Sequence, residues 1–395
     1  MFKCSACILI ISSCTIQIAK VQDTTASKFT LDGYVSFMES AMDMNLDGKK
    51  LLWESLLHNR LNMHYYPSGQ WSFSLQIRNR LMVGDRFRLE TGEVHKQSLE
   101  SDMGVTDLSW NALSGRSYVL NSAVDRFWVK YASGRLEITA GRQRINWGQT
   151  NVWNPNDWFN NYSFFEVDYV ERPGSDALRI QYFARALSGI EAAAKLDSAG
   201  DLTVAGLYKT NVRHYDMQFL SGILSSEDLA LGFGWAGNLG QIGFKGEMTY
   251  LHPLKHMKDT SGLFFLSVSF DYTFSSSLMI QAEGYYNQLS RGGGNRNINE
   301  FYSRPLSVKD LSFTETNLFG QVSYPFTPLF TGSLAVLYFP EVSGYFLGPA
   351  FTFSLGNNLD LSLFIQHFSG KFHRTNNDPE RQNFTMGFAR IKFSF

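Results

Sequence analysis

Apolar and polar residues alternate along most of the chain, in short runs that are separated by turn residues. Residues 57–65 and 71–78 show this pattern, and the turn sequence PSGQ (67–70) lies between them. A period of two places successive side chains on opposite faces of a β-strand. Similar runs recur at 242–248, 264–271 and 359–366. The pattern therefore predicts an all-β protein whose strands have one apolar and one polar face.

The final run, residues 383–395 (NFTMGFARIKFSF), ends the chain on an aromatic residue. Its apolar positions Ile391, Phe393 and Phe395 alternate with Arg390, Lys392 and Ser394. An amphipathic strand that ends in this way matches the assembly signal of bacterial outer-membrane barrels. We therefore predict that Ile391, Phe393 and Phe395 form a signal for the barrel-assembly machinery.

The composition agrees with a membrane protein that lacks transmembrane helices. Aromatic residues make up 15% of the chain, but its mean hydropathy is −0.18. The region after the N-terminal segment has no apolar run near the roughly 20 residues that a membrane-spanning helix needs. A membrane protein of this kind satisfies its backbone by closing a sheet into a barrel. The net charge of −1 argues against nucleic acid as a partner.

The alternating runs predict an antiparallel up-and-down transmembrane β-barrel of eighteen strands. The runs begin near residues 29, 53, 71, 123, 135, 175, 189, 202, 214, 227, 240, 264, 277, 315, 328, 345, 358 and 383. Sixteen strands remain an alternative, because the runs at 189 and 202 are brief. Long connections at 84–122, 146–174 and 288–314 follow odd-numbered strands, which predicts long extracellular loops and short periplasmic turns.

The N-terminal residues 1–22 resemble a signal peptide, in which Lys3 precedes the apolar stretch ACILII. The remainder, 23–395, is predicted to be a single barrel domain in the cell outer membrane, in contact with its lipid. All three cysteines lie at or before Cys14. Residues 11–14 also loosely resemble a lipoprotein box, so lipidation of Cys14 is an open alternative.

Basic residues are concentrated at inward positions of the second to sixth predicted strands, with Glu137 as the acid recognised among them. A one-sided basic wall in a channel attracts anions. The alternative is that these side chains brace the barrel through solvated ion pairs. The predicted basic wall comprises Arg60, Arg78, Arg80, Arg126, Lys130, Arg135 and Arg179.

The segment GRQRINWG (141–148) leads into a long loop, 146–174, that is rich in aromatic and acidic residues. Arg142 and Arg144 would face lipid unless Gly141 marks a β-bulge. An exposed loop rarely carries so many aromatic residues, so we predict that it folds into the lumen and forms a constriction. An external lid or a subunit contact is the alternative. The candidate constriction residues are Trp153, Asp157, Trp158, Glu166, Asp168 and Glu171.

The strings GRQRINWGQTNVWNPND and FEVDYVERPGSDALRIQYF resemble an uncharacterised family of porin-like barrels from Bacteroidota. The shorter pattern GRQ-x-[IV]-x-WG is also similar to porin-type and alginate-export-type barrels. The resemblance covers residues 136–183 specifically. It implies a barrel and a passive channel, and it supplies no substrate or catalytic residue.

No enzymatic site is expected. None of the eight histidines lies in a nucleophile motif, and His252 and His256 are better explained as a solvated loop pair than as a metal site. We therefore expect no cofactor and no metal. The sequence predicts an outer-membrane channel for small hydrophilic solutes with a modest anion bias. The main alternative is a plugged barrel that acts as a scaffold for a partner subunit or as part of an oligomer; an envelope-modifying enzyme is a third, weaker hypothesis.

Overall fold

The computed structural model describes residues 27–43, 51–161, 164, 171–255, 257–290, 307–372 and 380–395. The predicted signal peptide lies outside the described residues. So do two candidate constriction residues, Glu166 and Asp168.

The described chain forms nineteen β-strands, one α-helix and four short 3₁₀ turns. The helix is α1 (Gly92–Glu100), and the 3₁₀ turns are Asp85–Arg88, Gln288–Ser290, Val308–Asp310 and Pro340–Val342. The strands are β1 Phe29–Asp43, β2 Leu52–Tyr65, β3 Trp71–Gly84, β4 Ser109–Gly115, β5 Tyr118–Ser133, β6 Leu136–Gln143, β7 Ser175–Arg185, β8 Ser188–Leu196, β9 Leu202–Val212, β10 Tyr215–Leu224, β11 Asp228–Leu239, β12 Ile242–Pro253, β13 Leu263–Thr273, β14 Met279–Asn287, β15 Thr316–Thr327, β16 Phe330–Phe339, β17 Gly344–Gly356, β18 Leu359–Phe372 and β19 Glu380–Ser394.

Eighteen of these strands form a closed antiparallel barrel. Each pairs with the next along the chain, and β19 returns to pair with β1, from Tyr34 opposite Ser394 to Asp43 opposite Thr385. The additional strand, β4, is outside the ring, because β3 pairs directly with β5 and β4 pairs with β5 beyond the end of β6. The predicted eighteen-stranded barrel is confirmed, and the alternative of sixteen strands is wrong.

The two faces of the wall follow the predicted alternation. On β1, Val35 and Phe37 point outward and are 38% and 45% exposed, whereas Ser36 and Met38 between them point inward and are buried. An outer surface of exposed apolar side chains is typical of barrels that face lipid. No helix in the described ranges has both the length and the apolar character to cross a membrane.

The connections differ between the two ends of the barrel. At one end the turns are tight, and Gly134 and Gly240 adopt positive φ angles of 59° and 66° in the β5–β6 and β11–β12 turns. Glycine adopts this conformation without a steric penalty. The other end carries the long segments 85–108 and 144–174. Which end is extracellular stays a prediction from this asymmetry.

A β-bulge in β5 changes which side chains face the lumen. The register between β3 and β5 shifts at Gln76 and Ile77, so that consecutive residues Asp125 and Arg126 both point inward and are 5% and 6% exposed. A bulge inserts one residue into a strand and reverses the alternation that follows. Asp125 therefore joins the basic wall, where the sequence pattern predicts Glu137 as the acid.

Arg142 occupies a second irregular position, directly after Gly141, whose φ is 110°. It is 7% exposed, and its guanidinium donates hydrogen bonds to Asp102 (2.5 Å), to Asp176 (2.7 and 2.9 Å) and to the carbonyl of Thr106 (2.7 Å). Residues 102–106 thus lie over the end of β6 and cover this arginine. The glycine conformation at 141 agrees with the irregularity that the sequence suggested there.

Candidate functional site

The lumen loop, defined as residues 144–174, connects β6 to β7, and its described residues contact the inward faces of β8, β12 and β14. One contact is with Glu247 of β12, a fully buried carboxylate. Glu247 accepts hydrogen bonds from the backbone N–H groups of Gln149, of Thr150 (2.7 Å) and of Asn156 (2.9 Å). A carboxylate that accepts several backbone N–H groups compensates for much of the cost of burying its charge.

Glu283 of β14 anchors the next part of the lumen loop in the same way. It accepts the backbone N–H groups of Asn151 (2.8 Å), Val152 (3.2 Å) and Trp153 (2.8 Å), and the hydroxyl of Ser267 (3.0 Å). Together, the two glutamates accept hydrogen bonds from six backbone N–H groups between Gln149 and Asn156. The barrel wall therefore fixes the backbone path of the loop.

Aromatic side chains of the lumen loop fill the space between the loop and the wall. Trp153 stacks on Tyr285, with ring centroids 5.6 Å apart and an interplanar angle of 12°. The indole of Trp158 donates to Thr249 (3.2 Å), and the indole of Trp147 donates to Glu191 (2.5 Å). Buried indoles are usually hydrogen-bonded in this way. Trp153 and Trp158, both candidate constriction residues, lie between the loop and the wall.

Asp157 is also buried in this interface, with no exposed surface. The backbone N–H of Trp147 lies near its carboxyl without forming a well-aligned hydrogen bond. Burial, reinforced by the nearby carboxylate of Glu247, raises the pKa of Asp157 to about 8. The charged groups that face it are Glu247 of β12, Lys195 of β8, and Arg144 and Arg172 of the loop itself.

The position of Asp157 predicts that the loop docks more firmly in acid. When the loop leaves the wall, the pKa of Asp157 returns to an ordinary value near 3.8. The carboxyl stays neutral in both states below about pH 4. As the pH rises from about 4 to about 8, the free energy of docking becomes less favourable by up to about 1.4 kcal/mol per pH unit. The reason is that Asp157 ionises at a lower pH in the undocked loop than in the docked loop.

We therefore expect the conductance of single channels to be lower at pH 5 than at pH 8, and Asp157→Asn to flatten this dependence. Recordings in planar bilayers between these pH values measure both. An unchanged pH profile in the Asn variant would show that another group controls docking.

The arginine cluster, defined as Arg60, Arg78 and Arg126, lies on the other side of the lumen, and Asp125 is at its centre. Arg60 of β2 pairs with it directly, and Nε of Arg78 lies 3.5 Å from its Oδ1. Arg60 is 2% exposed and also donates to Gln76 (2.7 Å). This arrangement places at least two cations around one acid, so the cluster has an excess of positive charge.

The lumen loop returns to the wall at this cluster. Oε2 of Glu171 lies 4.0 Å from Nη1 of Arg60 and accepts a hydrogen bond from the hydroxyl of Tyr34 (3.2 Å). Arg126 donates to the backbone carbonyls of Glu171 (3.0 Å) and Arg172 (2.6 Å). The loop is therefore held at both walls, by carboxylates on one and by arginines on the other.

The remaining predicted wall residues lie apart from this cluster. Arg80 is buried and donates to Asn121 (3.2 Å), whereas Lys130 pairs with Glu137 (3.0 Å). Arg179 forms a two-pronged pair with Glu191 at 2.7 and 2.9 Å. The structure does not bring Arg135 into the wall, because it is exposed at the β5–β6 turn and donates to the carbonyl of Ala184 (3.0 Å).

Two further segments enter from the same end of the barrel. Phe87, just before α1, packs against Met38, Met82 and Val119 on the inward face of β1, β3 and β5. Lys309, between β14 and β15, pairs with Asp228 at the start of β11. The lumen is therefore narrowed by three segments and not by the lumen loop alone.

The described residues contain no group of three or more histidine, cysteine, aspartate or glutamate side chains placed to hold a metal ion. The charged groups of the site instead form pairs and backbone contacts across a narrowed lumen. Such an arrangement can attract and orient charged solutes, and its carboxylates and arginines are committed to holding the loop.

No protein-family model matches the sequence, and no curated protein sequence is significantly similar to it. Solved structures do match. Pseudomonas aeruginosa OccK5 (OpdH) superposes with a TM-score of 0.56 at 11% identity, covering 92% of this chain and 98% of the other. Acinetobacter baumannii OccAB2 gives a TM-score of 0.56 at 9% identity, covering 93% and 98%. These neighbours are outer-membrane porins with eighteen-stranded barrels. At such low identity, the likeness establishes the fold that the chain shares with them.

Proposed function

We propose that the protein is an outer-membrane channel through which small hydrophilic solutes diffuse, with a modest preference for anions. The observation that carries this proposal is the lumen loop anchored to one wall by Glu247 and Glu283, with its end at the arginine cluster of the other wall. This geometry places acidic groups on one side of the lumen and arginines on the other side. The fold shared with outer-membrane porins supports it.

The preference for anions follows from the excess of cations around Asp125. A charge about 8 Å from a passing ion in a water-filled lumen contributes roughly 0.5 kcal/mol, and salt reduces this further. The bias is therefore expected to be modest and to grow as the salt concentration falls.

The test is the reversal potential of the purified protein in a planar bilayer under a salt gradient. Replacing Arg78 and Arg80 by glutamine is expected to lower the anion-to-cation permeability ratio about two- to five-fold at low salt. The matched control is Arg135→Gln with Arg213→Gln, which removes the same charge from exposed turns. Equal ratios in both variants would contradict a role for the two inward arginines of β3 in anion preference.

The second candidate is a plugged barrel that serves as a scaffold for a partner subunit. It is favoured by the three segments that narrow the lumen, since together they could close it. The recordings distinguish the two functions. A wild-type protein that conducts nothing, and that stays closed when the loop is detached, would favour the scaffold.

The sequence resemblance to porin-like barrels of Bacteroidota fits the channel proposal, and the origin it suggests remains a prediction. Insertion by the barrel-assembly machinery is likewise a proposal that rests on the shared fold, and the absence of enzymatic activity remains an expectation from the sequence.

A further inference from the structure

A groove lies on the outer face of the barrel, at the seam where β19 closes on β1. Its volume is about 470 Å³. Small residues on these two strands, Ala41, Gly387 and Ala389, line it, and larger apolar side chains of β17 and β18, including Phe351, Leu363 and Ile365, line it as well. A Cβ atom added at Gly387 would meet nothing within 4 Å, so the space above it is open. A groove of this size is within the range of small-ligand sites, roughly 300–1,000 Å³.

One acid, Glu39, lines this otherwise apolar groove. Its Oε1 accepts a hydrogen bond from the hydroxyl of Ser55 (2.7 Å). Within the described part of the chain, its Oε2 has no hydrogen-bond donor. None of the groove's lining residues is basic. A carboxyl group on the lipid-facing surface is costly unless something pairs with it.

Three other polar side chains on the outer face differ from Glu39, because each has a hydrogen-bond partner in the barrel. Asn59 donates to the carbonyl of Tyr34 (3.2 Å), Asn79 donates to Asn59 (3.3 Å), and Ser122 donates to Asn79 (2.8 Å). These groups on β2, β3 and β5 need no external partner. Glu39 differs from these three side chains, because one of its carboxylate oxygens has no donor among the described residues and the residue lines an open groove.

The height of Glu39 on the barrel brings it within reach of lipid headgroups. It pairs with Ser55 in the β1–β2 ladder, and the next outward pair along these strands is Ala41 with Trp53. Trp53 lines the groove and is 54% exposed. Exposed tryptophans on barrels mark the interface between hydrocarbon and headgroups. The groove thus extends from the interface into the hydrocarbon region.

We propose that this groove binds one membrane lipid, with an acyl chain against Gly387 and Ala389 and a primary amine of the headgroup donating to Glu39. The amine supplies the positive charge that the groove lacks, and the chain fills its apolar volume. A second copy of this protein docking with the same face would bring two acidic grooves together. A small groove also offers far less contact than the roughly 1,200 Å² of a stable protein interface.

The experiment measures lipid retained by the purified full-length protein in native mass spectrometry, after exchange into micelles with equal amounts of phosphatidylethanolamine and phosphatidylcholine of identical chains. Phosphatidylcholine has no N–H donor. We expect a preference for phosphatidylethanolamine of up to about five-fold, as for one exposed ion pair. Glu39→Gln should abolish this preference.

Ala389→Phe should reduce retention of both lipids several-fold by filling the groove. The matched control is Ala282→Phe, because Ala282 is an exposed, outward-facing alanine on β14, away from the seam. Folding of each variant is checked by its circular dichroism spectrum.

Three outcomes would overturn the proposal. They are equal retention of the two lipids by the wild type, equal loss of lipid in the Ala389 and Ala282 variants, and a polypeptide bound in place of lipid. None of these outcomes depends on whether the barrel conducts.

Discussion

Replacing both Glu247 and Glu283 by alanine is expected to detach the lumen loop and to raise single-channel conductance several-fold. The two carboxylates accept six backbone N–H groups of the loop, three each. Each buried donor left without an acceptor costs roughly 1–3 kcal/mol. The lost hydrogen bonds therefore destabilise the docked loop by more than the aromatic contacts of this short segment stabilise it.

Conductance in a planar bilayer measures the effect, and increased current fluctuations should accompany it because the loop becomes mobile. The matched control replaces Glu137 and Asp271 by alanine. These inward acids are paired with Lys130 and Lys245 and form no hydrogen bond or ion pair with the described residues of the loop. If the control raises conductance as much as the Glu247 and Glu283 variant, the change reflects lost lumen charge and not a detached loop.

The second large effect concerns assembly. We expect Phe395→Asp to reduce the amount of folded protein in the outer membrane by several-fold, and Ser394→Asp to reduce it little. Phe395 closes the barrel through reciprocal backbone hydrogen bonds with Gly33, both 3.0 Å long. A side chain at Gly33 would clash with the carbonyl oxygen of Arg60 and lie 3.2 Å from the ring of Phe395, so the glycine leaves room for that ring.

The contrast follows from the two faces of β19. Phe395 is exposed on the outer face, in line with Phe393 and Ile391, whereas Ser394 points inward. A charge on the lipid-facing surface costs about 2–4 kcal/mol at the middle of the membrane and less near its edge. The amount of folded protein in isolated outer membranes measures the result. Similar yields for the two aspartate variants would contradict an assembly role for the terminal aromatic residue.

The strand count and the facing of most side chains could be predicted from the sequence, because a period of two is a local property. The exceptions have local causes as well. The bulge that turns both Asp125 and Arg126 inward is visible in retrospect, since the outward apolar positions Val124 and Phe127 are three residues apart instead of two. The sequence does not predict strand β4, Ser109–Gly115, because this short strand lies within 84–122, where the alternation of longer strands is interrupted.

The site could be predicted only in part. The aromatic residues of the lumen loop indicated that it packs, and Trp153 and Trp158 do lie in a buried interface. The glutamates that anchor it could not be identified, because Glu247 and Glu283 lie about 90 to 130 residues further along the chain. Nothing local distinguishes an inward glutamate that binds a loop from one that faces water.

The way in which the wall holds the loop has a consequence for how barrels of this kind can vary in sequence. Glu247 and Glu283 recognise backbone N–H groups, which every residue except proline supplies. Side chains between Gln149 and Asn156 that point away from the wall can therefore be exchanged without loss of these hydrogen bonds. Substitutions in the loop could thus change the surface that the loop presents to the lumen while the barrel sequence stays constant.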